Sequence, residues 1–302
     1  ILESTGGVRA RGGLLPRGEV VVSRVADGNH ASPSGSVVNC TQFHPSGSTA
    51  LLLVAGLDRR LRFFDPDGEK NRLVHSTVLS DLPVRTANFV HQGASVLATG
   101  RRPFFYLHDV ATGTPHRVPQ LLGRHERAWE VVAVSHDDHH SPWAFAADQG
   151  HVVLVAPKAK TVAGKERREE GVGRGGFGVE EVGWLLWVGS DVGELSCFDV
   201  RMGRRLFSFM DEGGSGVTSL CCSPTGTEVA VGSDSGVVNI YSLPYTAPPP
   251  SSAVFTTSTA SPSPTASISN LVTRIHGLQY NHDGQMLALH SHSVKDALRL
   301  HH

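Results

Sequence analysis

The sequence predicts an all-β fold, a WD-type β-propeller with about six recognisable degenerate blades of an expected seven. Three observations carry this prediction. The first is a repeated word: "CSPTGTEVAVGSDSGVVNIY" (Cys222–Tyr241) overlies "VEEVGWLLWVGSDVGELSCF" (Val179–Phe198) without a gap, setting Gly226 on Gly183, Gly232 on Gly189, Asp234 on Asp191 and Gly236 on Gly193. The second is its period. Related words begin at Phe43, Phe89, Val134, Val179, Cys222 and Tyr280, at steps of roughly 45 residues until a longer last one. The third is composition: 33 glycines and only 18% charged residues, with short apolar runs between turn residues, as a chain of many short strands requires.

The elements follow in order. Residues 1–13 read as an N-terminal tail and 14–302 as the propeller, with units starting near residues 37, 84, 129, 173, 216 and 274. The fifth unit shows the grammar best. Gly216–Cys222 is a first strand, and "SPTG" bends the chain through Pro and Gly. Glu228–Gly232 is a second strand, "SDSG" closes a tight hairpin, and Val237–Tyr241 is a third. The second and third strands are apolar on both faces, as sheets sandwiched between neighbouring sheets must be. In the fourth unit "GRGGFG" stands where the fifth has "GVTSLC", and glycines weaken a strand, so a frayed or missing first strand is expected there. Residues 244–269, rich in Pro, Ser and Thr, read as a flexible insert in the outer-strand or inter-blade region. Its Ser261-Pro262 and Ser263-Pro264 suit proline-directed kinases.

Several function classes are disfavoured. The formal net charge is −1, so nothing supports a general grip on nucleic acid, although local basic patches such as Arg9, Arg11, Arg17 and Arg101–Arg102 remain candidates for RNA phosphate. The four cysteines form no C-x-x-C pair, which points to a reducing compartment and away from a disulfide framework. No apolar run is long enough to span a bilayer as a helix, so no membrane partner is expected.

The candidate sites are weighed against ordinary turns. A phosphate-cradling loop follows a strand and opens a helix, because the helix N-terminus supplies the amide donors. Here each G-S-D-x-G is followed by a strand. A turn in which Asp bonds backbone amides and Gly takes positive φ explains every letter. Histidines are abundant, at Asp137–His140 ("DDHH"), at His290 and His292 and at His301–His302, but too few converge for a zinc site. "GGSGV" (Gly213–Val217) lacks the pattern and helix of a nucleophile elbow. The run Lys165–Glu170 mixes signs and reads as a solvated loop. No catalytic, cofactor-binding or metal-binding residue is assigned, and neither a cofactor nor a small-molecule substrate is expected.

The unit endings "FFD" (Phe63–Asp65), "LHD" (Leu107–Asp109) and "CFD" (Cys197–Asp199) replace the Trp-Asp of ordinary repeats. Longer words are more particular: "VNCTQFHPSG" (Val38–Gly47), "VAGLDRRLRFFDPDGEKN" (Val54–Asn71), "VLATGRRPFFYLHDVATG" (Val96–Gly113), "FMDEGG" (Phe209–Gly214) and "VAVGSDSGVVNIYS" (Val229–Ser242). In this order they resemble the WD-repeat U-three-snoRNA-associated protein eighteen family, from about Leu14 to Leu300, weakly between His136 and Gly183 and not in the Pro/Ser/Thr insert. The resemblance implies a non-enzymatic nucleolar scaffold in small-subunit (18S) rRNA processing. Its implied partners are the UtpB subcomplex and other processome factors, with indirect or local contact to pre-rRNA and U-three snoRNA. It also implies a seventh blade that takes up the strand Glu19–Val25. With a start lacking Met, the sequence therefore reads as a fragment or as a chain short of its last blade. The alternative is a generic WD-repeat interaction protein, such as a ubiquitin-ligase substrate receptor. A propeller hydrolase or lactonase would need carboxylates or histidines converging around a metal.

Overall fold

The computed structural model describes residues 24–119, 121, 125–134, 142–147, 151–155, 167–168, 179–182, 185–200, 203–213, 216–242, 262–295 and 297–302. The tail at 1–13, Arg9, Arg11, Arg17, Asp137–His140, Gly173–Gly178, Ser261 and most of the Pro/Ser/Thr insert lie outside these residues, as do the larger parts of Glu19–Val25 and of the run Lys165–Glu170. The chain forms two compact units, one of residues 1–140 with 156–162 and one of 141–155 with 163–302.

The first unit is built of antiparallel sheets in chain order. β1 (Val38–Phe43), β2 (Leu52–Gly56), β3 (Arg60–Asp65) and β4 (Arg72–Val78) make one sheet; β5 (Thr86–Val90), β6 (Ser95–Thr99), β7 (Phe105–Asp109) and β8 (Pro115–Val118) make the next. The third repeat contributes β9 (Val132–Ala133) to this unit, and β10 (Trp143–Ala146), β11 (His151–Val155) and β12 (Arg167–Arg168) to the second. There, β13 (Val179–Val182), β14 (Leu185–Gly189), β15 (Glu194–Asp199) and β16 (Arg204–Met210) form a sheet. β17 (Val217–Cys222), β18 (Glu228–Ser233), β19 (Val238–Ser242) and β20 (Ala266–Ile268) form another, and β21 (Gly277–Tyr280), β22 (Leu287–His290) and β23 (Leu298–His301) a third of three strands. Among the described residues no helix is long and apolar enough to cross a membrane.

The strand assignments of the fifth repeat agree with the sequence to within a residue. The fourth repeat differs from expectation. Its first strand is present, but as Val179–Val182, with Val182 opposite Leu185. In the fifth repeat Cys222 faces Val229 across a longer turn. The gap-free overlay therefore aligns the second strands of the two repeats and misaligns the first. A shorter connection lets "VEEV" pair where the glycine run before it was expected to leave the edge bare. At the end of the Pro/Ser/Thr segment, Ala266–Ile268 is ordered by pairing with β19 as the outer strand, with Ile268 opposite Val238.

Strand alternation divides each inner strand between two cores. On β18, Val229 and Val231 pack with Leu185, Trp187, Leu195 and Phe209 of the fourth repeat. The intervening Ala230 packs with Ile275, Leu278 and Leu289 of the sixth. The adjacent cysteines obey the same rule: Cys222 belongs to the first of these cores and Cys221 to the second. All four cysteines are free thiols. In the first unit, Leu53, Ala55, Leu61 and Phe63 pack against Leu82, Val84, Phe89, Val96 and Ala98 of the following repeat.

A recurring backbone bond locks one repeat to the next. The amide of Val84 donates to Gly56 O (3.1 Å), Trp129 to Gly100 O (3.2 Å), Val217 to Ser190 O (2.9 Å) and Ile275 to Ser233 O (3.1 Å). Each acceptor is the glycine that ends a second strand, or the residue after it. These glycines have no room for a side chain. A Cβ would meet the Val37 carbonyl at Gly56, the Pro83 carbonyl at Gly100, Val217 at Gly189 and Ile275 at Gly232. Gly35, by contrast, has open space around it. Gly56→Ala is expected to lower unfolding free energy by about 1–3 kcal/mol through overpacking against backbone. Gly35→Ala should stay within about 0.5 kcal/mol. Urea midpoints of the two variants check the contrast.

Candidate functional site

The G-S-D-x-G turns are hairpins between second and third strands, as the sequence predicts. Their serines make side-chain bonds that the letters alone do not assign. Ser190 Oγ accepts the Glu194 amide (2.9 Å), and Ser233 Oγ donates to Val237 O (2.9 Å). The closing glycines take positive φ, 89° at Gly193 and 91° at Gly236, as the turn requires. The Asp234 amide donates to Gly216 O (3.1 Å), fastening the turn to the entry of its own sheet.

The two words most particular to this sequence, "FMDEGG" and "GVVNIY", meet in one buried polar cluster. Asp211 follows β16, while Asn239 and Tyr241 lie on β19. Asp211 Oδ1 accepts from Tyr241 Oη (2.6 Å) and from Asn239 Nδ2 (2.9 Å). Asn239 Nδ2 also donates to Glu212 O (2.7 Å), its Oδ1 accepts from Ser267 Oγ on β20 (2.7 Å), and the Glu212 amide donates to Tyr241 Oη (3.1 Å). Burial raises the Asp211 carboxyl above its usual value, while the Tyr241 and Asn239 bonds pull it back. Burial, then the bond to Asp211, pushes the Tyr241 phenol up. The donors and acceptors are spent on one another, so the cluster joins the fourth repeat to the fifth and holds the outer strand. Its chemistry is structural.

The histidines show two arrangements. His290 and His292 have the neighbour that sequence spacing could not reveal: His276, sixteen residues upstream of His292, has its ring centroid 4.9 Å from that of His292, which lies 4.9 Å from that of His290. The His292 amide donates to His276 Nδ1 (3.1 Å), and the same nitrogen lies 3.0 Å from Arg274 O. It therefore accepts from His292 when bare and donates to Arg274 when protonated. Burial first, then repulsion from His292, lowers the pKa of both His276 and His290. The Nε2 of His290 sits against Gly277, where a Cβ would collide with it. Among the described residues no three His, Cys, Asp or Glu side chains are placed to hold a metal.

His108 occupies the position of the Trp in an ordinary Trp-Asp ending. It is fully buried, stacked on Phe63 (5.3 Å between centroids) and on His75 (5.9 Å), and neither ring nitrogen has a hydrogen-bond partner among the described residues. Burial, with help from the charges of His75 and His116 and against that of Asp109, lowers its pKa from 6.5 to about 4.

The turns at the repeat edges differ in charge. Asp191 and Asp234 occupy them in the fourth and fifth repeats. In the first and second repeats the same turns carry Asp58 with Arg59–Arg60, and Arg101–Arg102. Arg59 is itself in left-handed backbone, φ 61°, and its guanidinium donates to Ser80 O (2.8 Å). Sequence analysis singles out the second arginine pair but not the first; both follow a strand-ending glycine, Arg59–Arg60 after Gly56 and Arg101–Arg102 directly after Gly100.

A model of the WD domain, G-beta repeat, matches residues 27–65 and 203–242. The chain is 36% identical to a U3 small nucleolar RNA-associated protein 18 homolog of Arabidopsis thaliana, over 98% of this chain and 51% of that protein. It is 31% identical to the Homo sapiens homolog, over 100% of this chain and 52% of that one, and 28% identical to U3 small nucleolar RNA-associated protein 18 of Saccharomyces cerevisiae, over 96% and 54%. The chain thus spans about half the length of these relatives. Among solved structures, the β-propeller domain of Myceliophteria thermophila Cps50 (Swd1) superposes with a TM-score of 0.68 at 14% identity, covering 87% of this chain and 82% of that one. A chain of the Mitotic Checkpoint Complex gives 0.69 at 16%, covering 89% and 75%. At those identities the likeness establishes the β-propeller fold.

Two outcomes follow. Tyr241→Phe leaves the Glu212 amide without its acceptor and Asp211 without its shortest bond, and is expected to cost about 1.5–3 kcal/mol in chemical denaturation. His108 is neutral when folded and binds its proton more readily when unfolded. Its contribution is complete above about pH 6.5 and is lost as pH falls toward about 4. His108→Phe should flatten the pH dependence of the melting temperature in that window.

Proposed function

Because this chain belongs, over nearly its whole length, to the U3 small nucleolar RNA-associated protein 18 family, we propose that it is a non-enzymatic scaffold of the small-subunit processome, acting in 18S rRNA processing. The observation that carries the reading is the 36% identity across 98% of the chain. The words most particular to the resemblance support it, since "FMDEGG" and "GVVNIY" form one interlocked cluster between successive sheets. The proposal places the protein in the nucleolus, among UtpB and other processome proteins, with U3 snoRNA and pre-rRNA in the same particle.

The mechanism is display. Sheets sealed on both faces hold the turns at their edges in fixed positions, and partners dock on those turns or on outer strands. The inner strands of the described repeats are committed to packing, and the buried polar groups of the Asp211 cluster to one another. What faces outward is turn chemistry, held in place for partners to dock on.

Affinity purification of the tagged chain from cells tests the proposal. Co-recovery of processome proteins with U3 snoRNA is the expected result. Recovery of cullin adaptors without processome proteins would replace it with a ubiquitin-ligase receptor.

A further inference from the structure

The arginine turns of the first unit are joined into one edge by backbone bonds. Val84 donates to Gly56 O (3.1 Å), beside Arg59–Arg60; the Arg85 amide donates to Thr99 O (2.8 Å); and the Trp129 amide lies 3.2 Å from both Gly100 O and Arg102 O, around Arg101–Arg102. Arg59, Arg60, Arg85, Arg101 and Arg102 are thereby set in sequence along the ends of successive repeats.

The neighbouring carboxylates are already engaged. Asp58 pairs with Arg62 (2.6 Å), Asp81 accepts from Tyr106 Oη (2.6 Å) and faces Arg117 (3.5 Å), and Glu130 pairs with Arg101 (2.8 Å). Arg59 is bonded to a carbonyl, which leaves its charge uncompensated. Among the described residues Arg60, Arg85 and Arg102 have no carboxylate partner. Arg101 remains 67% exposed, so its surface pair with Glu130 yields readily to a competing anion. The row is a net positive strip on a chain whose overall charge is −1.

We propose that this edge, Arg59–Arg60 through Arg85 to Arg101–Arg102, binds the phosphate backbone of single-stranded RNA. The inference rests on the processome reading above and gives it a contact surface. The chemistry favours RNA: guanidinium forks match phosphate oxygens, and successive pairs along an edge suit a polymer bearing one charge per nucleotide.

The test measures binding of a fluorescein-labelled oligouridylate to the full chain by anisotropy across a salt series. The wild type should bind with a salt-dependent affinity. Arg60→Glu/Arg102→Glu should weaken binding at least about tenfold and make the log–log salt slope shallower by about 1–2. The charge-neutral Arg60→Gln/Arg102→Gln should weaken it by less, with an unchanged melting temperature, which separates lost charge from lost fold. Arg299→Glu, on β23, should bind as wild type does. Absence of wild-type binding, equal binding by both double variants, or equal displacement of RNA by polyglutamate would each overturn the proposal. Purification of the Glu double variant from cells separates the two readings. Retained processome proteins with weakened RNA binding support the surface, whereas a wild type that recovers no processome proteins sinks the functional reading and leaves the RNA measurement to stand alone.

Discussion

The bond from the first amide of one repeat to the strand-ending glycine region of the repeat before it is the constraint on which the rest depends. Glycine stands at 56, 100, 189 and 232 because a Cβ there would strike the Val37 and Pro83 carbonyls at the entry of its own sheet, or the Val217 and Ile275 side chains of the next repeat. With the bond in place, the second strand of one repeat meets the first strand of the next at fixed height. The alternating residues of both then have determined partners. Val231 and Ala230 reach different cores because successive side chains of β18 point to opposite faces.

Side chains reinforce the same junctions, each in its own way. In the first unit the junction is apolar and aromatic, with Phe63, Phe89 and His108 in contact. Between the fourth and fifth repeats it is polar, with Asp211 held by Asn239 and Tyr241. Losing the Trp-Asp endings is tolerable because the backbone bond does not need them. The replacement at His108 nevertheless exacts a cost, since an imidazole there must stay neutral.

Much of this was legible in the sequence, for identifiable reasons. Period, strand order and the hairpin glycines could be read because glycine at positive φ and apolar pairs on both strand faces leave marks in the letters. The first strand of the fourth repeat was misread because strand pairing answered to the length of a turn, and "VEEV" looks no more like a strand than like a loop. The serines of the G-S-D-x-G turns were hidden behind the aspartates, since either side chain suits a turn. His276 and the Asp211 cluster were invisible for a different reason: their partners lie sixteen or more residues away, and nothing in one sequence tells which distant polar groups share a core. The arginine edge was half legible, because the chain shows each pair but not that the two pairs lie side by side.

The matched segment 203–242 takes β16 from one sheet and β17 to β19 from the next, so the repeating unit of sequence straddles two units of structure. In each junction bond the acceptor carbonyl precedes its donor amide in the chain, so synthesis from the N-terminus makes every acceptor, the template for the next sheet, before the strand that uses it. The Pro/Ser/Thr stretch interrupts that rhythm once. Until it has been synthesised, β19 stays without the outer strand that closes its sheet, and a nascent chain holds an open edge at the place where the next template is needed.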